Sequence, residues 1–248
     1  TDISETAKEA VLPTAYFTFP ESDVTGTEEP GILAYGPVAY TEKTGTGSGD
    51  AKPVAIFARL KRAYAKVTVN YTAGTGVSIT ALRVENIPTR IYPFPATGNS
   101  PTDAFMNVDL TVNAGQTTYS FFMPENLRGN GTSTTAKEKN QPDNGPTQSG
   151  SARNLDYCTC IVLTGTYNYY PNNTPENAAN PISVEYRFYP GADMIRNYDI
   201  ERGKHYTLTL DLKGANSADA RVTITDGNVF TIADPDDVTH KDDIVFGE

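Results

Sequence analysis

At 248 residues the chain is long enough to bury one large core or two small ones. Its 30 acidic residues outnumber 20 basic ones; a net charge of −10 and a pI near 4.7 leave no basic stripe to neutralise phosphates, which argues against a nucleic-acid partner. With 17 Pro, 20 Gly, 15 Tyr and little of helical period, the composition predicts an all-β sandwich or barrel of short strands joined by loops.

No apolar run approaches the roughly 18 residues of a membrane-spanning helix. Thr1 is not followed by a charged-then-apolar leader, so the expectation is a cytosolic protein or one already processed.

Residues 1–53 form an N-terminal segment too short for an independent sandwich. Val11, Pro13, Ala15, Phe17 and Phe19 are expected on one side of a strand, with Leu12, Thr14, Tyr16 and Thr18 on the other. Both faces are substantially apolar, which calls for burial on both sides or a partner chain, and Pro13 and Pro20 restrict the strand to an edge or an irregular position. A further short strand is expected within Gly31 to Tyr40, before the flexible connector Thr44 to Asp50.

Between Val54 and Tyr71 the apolar alternation changes phase. Val54, Ile56, Ala58 and Leu60 hold one register; Ala63, Ala65, Val67 and Val69 hold the opposite one. A one-residue offset turns the apolar set onto the other face, so a bulge near Lys61–Arg62 or a step between sheets is required. A similar slip separates Val77, Ile79 and Ala81 from Leu82 and Val84. Strands follow at Phe105 to Val112 and Thr117 to Met123, joined by the turn Asn113–Gln116. Asn130 to Arg153 is polar and reads as a mobile surface loop. A strand resumes at Leu155 to Tyr169, followed by a second polar loop, Pro171 to Pro181.

Alternation is clearest between Ile182 and Thr225. Ile182, Val184, Tyr186 and Phe188 form one apolar set, Tyr206, Leu208, Leu210 and Leu212 a second, and Ala220, Val222 and Ile224 a third. They predict three half-buried antiparallel strands. The long connection Pro190–Gly203 suits a crossing between sheets, while Lys213–Ser217 is a short turn. In the tail, residues 227–248, two apolar clusters (Val229, Phe230 and Ile232; Ile244, Val245 and Phe246) flank the acidic Asp234-Pro235-Asp236-Asp237. Apolar pieces at a chain end need a docking surface, on the same chain or the next subunit.

Candidate chemistry is sparse. The sequence has no nucleophile elbow, no phosphate-cradling Gly-rich loop and no His-based zinc spacing. Cys158 and Cys160 stand two apart, an arrangement near the outer limit for a disulfide, and are expected as two small apolar residues of a buried strand. His205 is expected on a solvated strand face among Thr207, Thr209 and Asp211. Asp234, Asp236, Asp237, Asp242 and Asp243 lack EF-hand spacing and read as a solvated acidic turn rather than a calcium site. The run Tyr167-Asn168-Tyr169-Tyr170-Pro171-Asn172-Asn173 fits either sugar binding or the covering of a sandwich edge. The expectation is a protein that is not an enzyme, with no cofactor, no metal and no catalytic residues.

Three stretches in order resemble one family. They are Leu60-Lys61-Arg62-Ala63-Tyr64-Ala65-Lys66-Val67-Thr68-Val69 with Leu82 to Pro88 ending in Asn86-Ile87-Pro88; Phe121-Phe122-Met123-Pro124-Glu125-Asn126-Leu127-Arg128-Gly129; and Tyr189-Pro190-Gly191, Arg196 to Leu208 and Asp219 to Val222. They are similar to the fimbrillin-like proteins of Bacteroidetes, the type V pilins. The resemblance spans roughly residues 54–226 and implies a transthyretin-like, Greek-key β-sandwich there, with extended terminal strands.

It further implies export as a processed lipoprotein precursor, removal of an N-terminal strand by an arginine-specific protease, and a cell-surface fimbria assembled by donor-strand exchange. On that analogy Val229, Phe230, Ile232, Ile244, Val245 and Phe246 are candidate donor positions, with Val11, Ala15, Phe17 and Phe19 as alternative N-terminal strand contacts. The implied partners are other copies of the chain or related pilins, and host or bacterial surface ligands. The alternative is a tip or anchor protein, or an adhesin binding glycans or another cell through the loops Asn130–Arg153 and Tyr167–Asn180.

Overall fold

The computed structural model describes residues 16–26, 30, 38–42, 54–58, 62–92, 100–147, 152–168, 181–214 and 217–226. Its elements are β1 (Phe17–Thr18), α1 (Glu21–Thr25), β2 (Val38–Glu42), β3 (Val54–Ala58), β4 (Tyr64–Ala73), β5 (Val77–Pro88), β6 (Arg90–Ile91), β7 (Phe105–Leu110), β8 (Thr118–Pro124), β9 (Cys160–Tyr167), β10 (Ile182–Phe188), β11 (Lys204–Gly214) and β12 (Ser217–Asp226). Two four-stranded sheets, ordered β10-β9-β5-β7 and β12-β11-β4-β8, face each other as a sandwich. The pairs β1-β6 and β2-β3 form separate two-stranded ribbons.

Alternation explains the core. Ala65, Val67 and Val69 of β4, Tyr119, Phe121 and Met123 of β8, and Tyr206, Leu208, Leu210 and Leu212 of β11 are buried, opposite Leu82, Val84, Ile161, Leu163, Val184 and Tyr186 from the other sheet. Each such side chain contributes about 1.5–3 kcal/mol on burial if large and apolar. The phase change between Val54 and Tyr71 is a step from the β2-β3 ribbon, where β3 lies, to the sandwich, where β4 lies. The slip after Ile79 is a bulge: the β5–β9 register shifts between Ile79 and Ala81. Gly165 stands opposite that bulge, and a Cβ there would drive into the Ser78 carbonyl.

Four expectations are corrected. The first is strand direction, and only in part: β10 is antiparallel to β9 and β11 to β12, as expected, but β11 runs parallel to β4 over His205–Leu212, and β10 lies in the other sheet. A period of two reports which face is buried and carries no information on a partner's direction. The residues 190–203 do cross between sheets, as their length requires.

Second, Phe17 and Phe19 do not share an environment. Phe17 is 56% exposed whereas Phe19 is 1% exposed, because β1 ends at Thr18 and the chain turns through Pro20 into α1. Helix α1 packs on β8 and β7, the edge strands of the two sheets, and its Val24 joins Phe19 in the sandwich core. The N-terminal segment thus closes one side of the sandwich. Val11 and Ala15 lie outside the described residues.

Third, the described part of the Asn130–Arg153 loop is built rather than loose. It holds two 3-10 turns, Glu138–Asn140 and Pro142–Asn144, and docks on residues 193–198. Ser133 donates to the Ile195 carbonyl at 2.6 Å, Gly131 N–H to the Arg196 carbonyl at 2.7 Å, and the Asn197 amide to Asn130 Oδ1 at 3.0 Å. Polar composition failed as a guide because part of the loop's hydrogen bonding is met by another loop, residues 193–197. Fourth, the strand expected from Leu155 begins only at Cys160. Leu155, Cys158, Cys160, Val162, Tyr189 and Tyr198 form a second small core on the outer side of β9, beneath this docked loop.

Candidate functional site

The three sequence motifs converge on one end of the sandwich. Beyond β8, residues 126–131 run antiparallel to 196–200: Asn126 N–H donates to the Ile200 carbonyl at 2.8 Å, Ile200 N–H returns to Asn126 at 2.9 Å, and Tyr198 N–H reaches the Gly129 carbonyl at 3.0 Å. Gly129 and Gly203 both have positive φ, 79° and 72°, where a side chain would be strained.

Their polar side chains point inward. Asn126 is fully buried and donates through Nδ2 to the Tyr157 carbonyl and Thr159 Oγ1, both at 2.9 Å. Its Oδ1 accepts from Arg128 Nε at 2.9 Å. Arg128, 1% exposed, donates through Nη2 to the Ser100 and Pro101 carbonyls, and its guanidinium lies 6.0 Å from the Phe105 ring centre. Burial lowers its pKa from the ordinary arginine value. Asp199 Oδ1 accepts the Arg128 and Gly129 N–H groups, each at 2.6 Å. Glu125 pairs with Arg202 at 3.1 Å, and Arg202 Nη1 donates to the Tyr92 carbonyl at 2.8 Å. Asn86, at a positive φ of 59° on the β5 bulge, donates to the Cys158 carbonyl at 2.9 Å. This is a polar latch, in which nearly every inward polar group answers another.

The neighbouring groups are as deeply held. Lys139 is 1% exposed; its Nζ donates to the Asp193 carbonyl at 2.6 Å and sits 4.9 Å from the Tyr198 ring centre, while the Tyr198 hydroxyl donates to the Lys139 carbonyl at 2.8 Å. Cys158 and Cys160 are free and buried, as expected, and burial pushes both thiols up to about 12, which suppresses the thiolate a nucleophile needs. His205 lies on the outer sheet face but is half-buried, with Nε2 at 2.8 Å from Thr68 Oγ1; burial and then the charge of Lys66 lower its pKa. Among the described residues no group of three or more His, Cys, Asp or Glu is arranged for a metal, and no helix is long and apolar enough to cross a membrane.

Beside the latch, a small cavity of about 20 Å³ lies between β6 and residues 100–104. Arg90, Tyr92, Asp103, Glu125 and Arg202 line it. The donor positions proposed from the sequence, Val229, Phe230, Ile232, Ile244, Val245 and Phe246, lie outside the described residues, as do the acidic Asp234 to Asp243 and the tyrosine-rich run beyond Asn168. The chain enters that tail from the end of β12, an edge strand. Sequence patterning missed Lys139 and the cavity, since neither produces an apolar period.

A family model described as a domain of unknown function (DUF4906) matches residues 121–210, the span carrying most of the latch. No curated protein matches the chain. Among solved structures, the fold is similar to that of the tip fimbrial protein Mfa3 from Porphyromonas gingivalis with C-terminal truncation: the TM-score is 0.51 at 11% identity, over 89% of this chain and 72% of that one. A fimbrilin from Porphyromonas gingivalis aligns with a TM-score of 0.37 at 14% identity, over 75% of this chain and 64% of that one. The chain has a fimbrillin-like β-sandwich fold. The similarity to a fimbrial tip protein concerns the fold.

Proposed function

We propose that the chain is a non-enzymatic structural subunit of a cell-surface fimbria that polymerises by donor-strand exchange. The observation that carries this reading is the closure of the β7/β8 side by a terminal segment: a five-residue helix and Phe19, rather than a strand, complete the core between two edge strands. A sandwich completed this way has edges to which an extended segment of another copy can add, gaining main-chain hydrogen bonds and apolar burial together. The tail beyond β12 supplies the donor, through Val229, Phe230, Ile232, Ile244, Val245 and Phe246. The fimbrillin-like fold supports the same role. Export across the outer membrane as a processed precursor, with removal of an N-terminal strand, belongs to this proposal.

A second reading, a tip or anchor protein or an adhesin for host or bacterial surface ligands, is favoured by the docked Asn130–Arg153 loop. Its described residues 130–139 are hydrogen-bonded to residues 193–197, while Thr134, Thr135, Lys137, Gln141 and Asp143 are exposed to solvent. Electron microscopy of native cell-surface material, with mass spectrometry of the purified filaments, separates the two. Filaments made mainly of this chain support the structural subunit; the chain found only at filament ends, or only as a monomer, supports the second reading.

A further inference from the structure

We infer that the latch end of the sandwich, through an exposed aromatic strip, is the face that meets a second copy of this chain. Among the described residues the exposed large apolar side chains are Tyr16, Phe17, Tyr157, Ile182 and Ile195. Ile182 opens β10 at the far end of the sandwich, opposite Tyr167. The others stand at the latch end. Phe17 pairs with Ile91 across the β1-β6 ribbon, next to Tyr92, whose carbonyl accepts from Arg202. The Tyr157 carbonyl accepts from Asn126, and the Ile195 carbonyl from Ser133.

Tyr16, Phe17 and Tyr157 belong to one strip. The Tyr16 ring centre lies 6.0 Å from that of Tyr92, and the Arg90 guanidinium lies 4.6 Å from Tyr16 and pairs with Asp103 at 2.6 Å. Two residues after Asp103, Phe105 stacks on Tyr157, with ring centres 5.6 Å apart and planes within 25° of parallel. Aromatic rings crossed by a single arginine ion pair are the composition of a protein–protein contact.

Tyr157 carries a second observation. Its φ of 64° is left-handed, a conformation that strains a bulky side chain. The turn itself uses only backbone: Cys158 N–H closes on the Leu155 carbonyl at 3.1 Å, and the Tyr157 carbonyl is held by Asn126. Asparagine or glycine fits such a backbone better. Burial of the ring does not offset the strain, because the residue is 36% exposed. The ring is therefore an apolar group that the isolated chain leaves partly uncovered at a strained position, and outliers of this kind cluster at functional sites.

The path of the chain names the occupant. Strand β12 ends at Asp226, paired with Lys204 at the start of β11, so residues 227–248 leave the sandwich at the latch end. A strand donated from there brings the accepting copy to the same end, where the strip lies. Charge agrees with this partner. Two copies of a chain of net charge −10 repel, and they approach at least cost where the Arg90–Asp103 pair and the rings leave the surface without net charge.

This inference rests on the donor-strand reading for its partner, and the test separates the two. The full chain is displayed on the cell surface with the photo-crosslinking residue p-benzoylphenylalanine in place of Phe17, Tyr157 or, as a control at the far end of β8, Thr118. Illumination is expected to join copies covalently from positions 17 and 157 and not from 118. Tyr157→Asn is expected to melt no lower than the wild type and to shorten filaments by about tenfold or more. Filaments that give no cross-link between copies from positions 17 and 157, or full-length filaments from Tyr157→Asn, overturn the interface and leave strand donation standing. A Tyr157→Asn chain that melts below the wild type makes the ring a structural group and overturns the assignment as well. Cross-linked multimers that persist with Phe230→Asp and Ile232→Asp support the interface and overturn the tail as donor. A wild-type chain that stays monomeric overturns both.

Discussion

Asn126→Leu lowers the stability of the isolated chain by about 3–5 kcal/mol. Leucine is larger than asparagine and leaves no cavity, so the loss comes from unpaired polar groups together with overpacking of a fully buried site. The Tyr157 carbonyl, Thr159 Oγ1 and Arg128 Nε each lose a partner at 2.9 Å inside a fully buried pocket. A buried polar group left unpaired costs about 1–3 kcal/mol, more when charged, and Arg128 is charged. For a chain of this size that is a fall in thermal midpoint of roughly 10 °C, read by differential scanning calorimetry. An unchanged midpoint would mean that the latch residues are not what holds the two segments together, and would return the Pro124–Gly129 motif to the pool of functional candidates.

Stability should also depend on pH through Lys139, in a direction fixed by its burial. Unfolded, the amine titrates at 10.5; folded, burial pulls it down to about 7, against the nearby Asp193, Cys158 and Asp199. Between those values the unfolded chain holds a proton that the folded chain has released, so stability rises with pH, by up to about 1.4 kcal/mol per pH unit. Cys158 and Cys160 act oppositely. Their folded values of about 12 lie above the unfolded 9.0, so their contribution is complete below pH 9 and is lost as pH climbs towards 12. The expected urea-melt profile rises by about 1 kcal/mol from pH 7.5 to 8.5, then turns down above pH 9. Lys139→Met keeps an unbranched stem against Tyr198 but has no proton to exchange, so the rise disappears. A Met variant with the wild-type slope would assign the rise to another group.

Much of the fold is written in the period of the apolar residues. The alternations from Ile182, Tyr206 and Ala220 locate β10, β11 and β12, and a phase slip in β5 marks a real bulge. The parallel pairing of β11 with β4 is not legible this way, because side chains alternate identically whichever way a neighbouring strand runs. The latch is half legible. Its motifs can be seen in the sequence, yet Asn126, Arg128 and Asp199 are polar residues turned inward, which a hydrophobicity pattern assigns to the surface.

Lys139 is hidden for the same reason. Nothing in a run of Thr, Ser, Asn and Lys reveals that one amine will meet a carbonyl and an aromatic ring on a loop more than fifty residues away. The resemblance to fimbrillin-like proteins came through the residues that build this end of the sandwich. Those residues report architecture, and the proposed donor positions of the C-terminal tail lie outside them.

Donor-strand polymerisation is tested most directly by expressing the chain on the cell surface with Phe230→Asp and Ile232→Asp and imaging the filaments by negative stain. A buried aspartate cannot occupy an apolar groove without losing its solvation, so the expected result is monomeric protein with an unchanged melting temperature and no filaments. Filaments of normal length and abundance built from the doubly substituted chain would contradict the assignment of the C-terminal tail as donor.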